Sequence, residues 1–89
     1  MKDKISQVCD AMKDLLVYKN KEYGNSALNP IGIFSKQDAE NSIDIRLDDK
    51  LSRIKNAKEL RKNDIADLIG YLVLLCISQG WDDFSEFKD

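Results

Sequence analysis

The chain has 89 residues, the size of one small domain, and folding at that length buries only roughly 60–65% of the surface exposed by the unfolded chain. Hydrophobic residues make up 43% and charged residues 34%, which excludes both an integral membrane protein and a disordered tail. Fourteen basic residues against sixteen acidic ones leave a net charge of −2, so bulk charge does not bind duplex nucleic acid; an anionic ligand has to be met by a local patch.

The first predicted element is a helix over about residues 3–23. Ile5, Val8, Cys9, Met12, Leu15 and Leu16 recur at the three- and four-residue spacing of one apolar stripe. Asp3 is a candidate cap, and Gly24 supplies a left-handed terminating residue. A long connection follows, from Asn25 to about Asn41, holding the only proline, Pro30. Its apolar residues Leu28, Ile31, Ile33 and Phe34 argue that it packs down, and Ser35 with Asp38 could cap one short turn. Loops of this length in a compact domain are often binding loops.

The second helix is expected over about 42–56, with Ile43, Leu47, Leu51 and Ile54 on its inner face. The third is expected over 64–79, capped by Asn63 and ended by Gly80. From Leu68 to Ile77 it is apolar on nearly every side, and such a helix has to be buried all round. Two other helices cannot easily encircle it. The expectation is therefore a helix-mediated homo-oligomer, with Gly70 allowing a close helix approach. Trp81, Phe84 and Phe87 suit a last short helix folded back over an apolar edge. The fold class is all-α, with one domain over residues 1–89.

Histidine is absent, which removes the Ser-His-Asp triad, the histidine general base and histidine-ligated zinc. The two cysteines, Cys9 and Cys76, lie among apolar residues without CxxC spacing and read as core thiols in a reducing compartment. The opening Met-Lys-Asp-Lys runs into amphipathic sequence, so no signal peptide is expected. The longest apolar run is about half of the ~20 residues needed to span a membrane. Cytoplasmic localisation is the resulting expectation.

Three constellations could carry chemistry. Arg46, Asp49, Lys50 and Arg53 sit at i, i+3, i+4 and i+7 on one helix face. Guanidinium forks and an ammonium there suit phosphate; the plain alternative is a solvated face with an Asp49–Arg53 pair. The segment from Tyr18 to Ser26 combines Tyr18, Lys21, Tyr23, Gly24, Asn25 and Ser26. Tyrosine can stack on a base while the small polar residues approach a phosphate or sugar closely. Asp64 and Asp67 place two carboxylates one turn apart, a pattern able to hold magnesium. The helix dipole alone also accounts for Asp64, and a salt bridge to Lys50 or Arg53 would satisfy Asp67.

The order Tyr23-Gly24, then Arg46-xx-Asp49-Lys50-xx-Arg53, then Asp64-xx-Asp67-Leu68-xx-Tyr71 resembles the MazG-like all-α nucleoside triphosphate pyrophosphatases. It is more similar still to their small phage relatives, the nucleotide-modification-associated domains. The resemblance spans roughly residues 8 to 77. It implies a magnesium-dependent pyrophosphohydrolase using Glu22, Asp49, Asp64 and Asp67. Catalytic members carry a further Glu-xx-Glu pair on an earlier helix, whereas this chain offers Asp10, Asp14 and Glu22 without that spacing. Two carboxylates beside three cations concentrate Mg²⁺ poorly.

The size, helical plan and Tyr-Gly segment also resemble the phage anti-CBASS sponge proteins. Those are small helical oligomers, hexameric in known members, that hold cyclic di- and trinucleotides without cleaving them. This resemblance implies a viral protein acting in the host cytoplasm, with no catalytic residues, metal or cofactor. Lys21, Arg46, Lys50 and Arg53 would meet phosphates; Tyr18, Tyr23 and Phe34 would meet bases; Gly24, Asn25 and Ser26 would close on ribose. The partners expected are thus cyclic di- or trinucleotides and further copies of the chain, with no duplex nucleic acid and no membrane. A structural helical adaptor, its charged stripe meeting another protein, is the third reading.

Overall fold

The computed structural model describes residues 1–88 apart from 24–35, and the side chains of these except 23 and 36–42. The described chain is all-α. Helix α1 spans Lys2–Tyr23, α2 spans Lys36–Asn56 and α3 spans Lys62–Gln79, followed by a 3₁₀ turn at Ser85–Phe87. No described helix is long and apolar enough to cross a membrane.

All three helices begin earlier than the sequence predicts. Helix α2 starts at Lys36, which places Asp38 in its first turn, while Ser35, its expected capping partner, lies outside the described residues. The run Gln37-Asp38-Ala39-Glu40 contains no glycine or proline to stop it. Helix α3 starts at Lys62 after the extended Arg61, without a side-chain cap, and Asn63 is inside the helix rather than its cap. Likewise α1 begins at Lys2, leaving Asp3 in its first turn, where the helix dipole favours an acid.

The end of α3 matches its expectation. Gly80 adopts a left-handed conformation at φ 77°. The Gly80 N–H donates to the Ile77 carbonyl at 3.0 Å and the Trp81 N–H to the Cys76 carbonyl at 2.9 Å. These are the paired bonds of a Schellman motif, which satisfy carbonyls that the helix leaves without partners. Beyond it, the Asp83 carboxylate accepts from the Ser85 backbone N–H at 3.0 Å, and this bond lowers its pKa from the ordinary carboxylate value.

Contacts between helices fix their directions. Lys50 meets Asp67 and Arg46 meets Tyr71, so positions fall along α2 as they rise along α3, and the pair is an antiparallel hairpin. Leu16 meets Gly70 and Lys19 meets Asp67, so α1 is antiparallel to α3 as well. Gly70 lets α1 in closely: a Cβ there would stand 3.0 Å from Leu16 Cδ2. The close approach expected of Gly70 is thus made within one chain.

The core is thin. Among the described residues Ile43 and Leu47 are the large apolar side chains that the fold buries. Ile54 is half-buried and Leu51 is exposed, which corrects its placement on the inner face: it lies off the side α2 turns toward α3. Cys9 is exposed and Cys76 half-buried, both as free thiols, so Cys9 is not a core thiol of the single chain. The C-terminal aromatics do not fold back: Trp81, Phe84 and Phe87 are all exposed.

Candidate functional site

The site forms where α1 and α2 both reach α3. Asp67 stands at its centre, three residues before Gly70 on the side of α3 that faces the other helices. Its two carboxylate oxygens accept different lysines. Lys50 Nζ lies 3.1 Å from Oδ2, and Lys19 Nζ lies 3.7 Å from Oδ1. The Lys50 side chain is only 13% exposed, against 48% for Lys19, so one ammonium is held in the seam and the other at its rim. The Lys50 bridge is one of the two partners that the sequence offers Asp67.

One turn along each helix, the Arg46 guanidinium lies over the Tyr71 ring, 5.8 Å from its centroid. A guanidinium over an aromatic face gains cation–π attraction while its N–H edge remains able to bind an anion. Asp64, one turn before Asp67, is 3% exposed. The seam therefore gathers Lys19 and Lys50 on the Asp67 carboxylate, with Arg46 over Tyr71 one turn to one side and the buried Asp64 one turn to the other. Cations are in excess, and both lysines are shared with a single carboxylate.

The four-residue stripe on α2 is divided by the fold. Lys50 and Arg46 turn to α3. Arg53 instead pairs with Asp49 at 3.1 Å, both side chains more than half exposed, which is the solvated pair of the plainer alternative. Among the described residues no group of three or more Cys, Asp or Glu side chains is placed to hold a metal ion. The four carboxylates of the pyrophosphatase resemblance stand on three helices, Glu22 on α1, Asp49 on α2, and Asp64 and Asp67 on α3. Asp49 faces Arg53, and Asp67 is occupied by ammonium groups.

On α1 the lysine that reaches this seam is Lys19 rather than Lys21. Lys21 is exposed, two residues past Lys19 and so about 200° further round the helix. Lys19 continues the phase of Leu15 and Leu16, which could have marked it as facing the bundle. Tyr71, which enters the sequence reading only through its motif, is the aromatic partner of Arg46. Tyr18 is exposed on α1, well away from the Leu16 side. The Tyr23 side chain and the residues Gly24, Asn25, Ser26 and Phe34 lie outside what is described.

No protein family matches this chain, and neither a curated protein nor a solved structure is significantly similar to it.

Proposed function

We propose that the chain binds and sequesters a cyclic oligonucleotide without cleaving it, in a homo-oligomer with the ligand at sites between subunits. The observation that carries this reading is the seam itself, in which two lysines share Asp67 and a ring-backed arginine stands one turn away. Such a set can exchange part of its pairing with Asp67 for pairing with phosphate. Helix α1 ends at Tyr23, about 6 Å of helix rise beyond Lys19. In this reading Tyr23 stacks on a base, Gly24, Asn25 and Ser26 close on ribose and phosphate, and, because the sites lie between subunits, Tyr18, Lys21, Phe34 and Arg53 approach the ligand from a neighbouring copy. The biological role it implies is that of a phage anti-defence protein in the host cytoplasm.

The decisive experiment offers the protein a panel of cyclic di- and trinucleotides and ordinary nucleoside triphosphates, with and without magnesium, then releases bound material by heat. Recovery of intact cyclic nucleotide is the expected result. The Asp67→Asn variant sharpens it. Removing a carboxylate that competes for both lysines should tighten binding roughly three- to tenfold, the range corresponding to about 1 kcal/mol of competing ion pair. Magnesium-dependent release of pyrophosphate, lost in Asp67→Asn, would favour the hydrolase instead. Uptake of neither ligand class leaves the helical adaptor.

A further inference from the structure

Helix α3 carries a second apolar face that the bundle does not use. Asp64, Asp67, Tyr71 and Ser78 recur at helical spacing on the side toward the seam and α2. Ser78 is buried there and donates from Oγ to the Leu75 carbonyl at 2.7 Å. On the far side, Ile69, Leu72, Val73, Cys76 and Ile77 fall at i, i+3, i+4, i+7 and i+8, the pattern of a complete buried stripe. Yet Leu72, Val73 and Ile77 are 47%, 39% and 55% exposed.

Helix α1 repeats the situation. Its stripe is one continuous run, half-buried at Met12, Leu15 and Leu16 and in contact with α3 at Leu16. Continued antiparallel from Leu16–Gly70 and Lys19–Asp67, the register would lay Val8 and Ile5 along the end of α3 near Ser78 and Trp81. They are instead 59% and 56% exposed, so the two helices diverge toward the α1 N-terminus. Among the described residues, each therefore offers an apolar stripe that is largely open.

We infer that a second copy of this chain covers both stripes, the N-terminal half of α1 from one protomer lying against the free face of α3 in the other, and reciprocally about a two-fold axis. Size argues for this occupant: a chain of 89 residues that buries two large apolar side chains among its described residues has a thin core, and pairing with a second copy supplies the missing burial. Charge is complementary too: Lys2 and Lys4 flank the α1 stripe, and Asp82, Asp83 and Glu86 follow α3. The inference specifies the surface of the proposed homo-oligomer and does not depend on its ligand.

The test is the native mass of the full chain without nucleotide, so that its outcome is separate from ligand binding. The wild type should be a dimer or a multiple of one. Val8→Glu and Leu72→Glu should each yield monomers, while Val17→Glu, on the opposite side of α1 at 64% exposure, should leave the assembly intact. Cys9 gives an independent readout, because it is exposed in the single chain and covered in the pair. Its alkylation in the wild type should be at least an order of magnitude slower than in denatured chain, even if the glutamate variants fail to fold. A folded monomeric wild type, an oligomer that survives both glutamate substitutions, or a Cys9 reacting at the denatured rate would each overturn the inference.

Discussion

Lys50 and Arg53 are three residues apart on one helix, yet their carboxylate partners place them in different physical regimes. The Arg53–Asp49 pair is exposed on both sides, and water screens it so well that removing either partner should change stability by less than about 0.5 kcal/mol. Lys50 is mostly withdrawn from water and depends on Asp67. Asp67→Ala should therefore cost about 1–3 kcal/mol in urea unfolding, chiefly by leaving that ammonium without its closest anion. The double variant Lys50→Met/Asp67→Leu, which removes both charges and keeps apolar volume, should recover most of the loss. If the single and double variants were equally unstable, packing rather than charge would govern the position. Sequence spacing could place Arg46, Lys50 and Arg53 on one face of α2, but not separate them, because the division depends on where α3 crosses. Lys19 was missed for the same reason: its partner lies 48 residues away in sequence, and a register between helices joins them.

Helix ends were legible where local chemistry sets them and less so where it does not. Gly80 ends α3 because a left-handed residue is needed, and glycine is the residue that adopts φ 77° without a Cβ penalty. No atom lies within 4 Å of where its Cβ would stand, so the cost of Gly80→Ala is a backbone cost alone. It should be about 1 kcal/mol in thermal or urea unfolding. Gly80→Asn should cost less, since asparagine tolerates that conformation better. Equal losses for alanine and asparagine would point instead to a side-chain clash. The starts of α2 and α3 carry no comparable signal: Ser42 and Asn63 are good capping residues in isolation, yet both fall inside longer helices. The apolar stripes of α1 and α3 were visible in the sequence, but which parts the chain itself covers was not. That depends on the divergence of α1 from α3.

At the scale of the whole molecule, burial and sequence disagree in a way that the proposed assembly would resolve. A chain with 43% hydrophobic residues buries two large apolar side chains among its described residues, too few to hold three helices together by packing within one protomer. Association would supply the missing burial, and it makes stability depend on concentration, since each unfolding event then releases two chains. A tenfold rise in protein concentration adds about 1.4 kcal/mol per dimer. For a folding unit of roughly twice this length, 1 kcal/mol moves Tm by about 2–4 °C, so each tenfold step should raise Tm by roughly 3–5 °C. Scans at several concentrations, without nucleotide, measure this directly. Leu72→Glu should flatten the dependence as well as lower Tm, because it removes the coupling and not merely some burial. A Tm that stays constant over two decades of concentration in the wild type would mean that one chain is sufficient for its own stability.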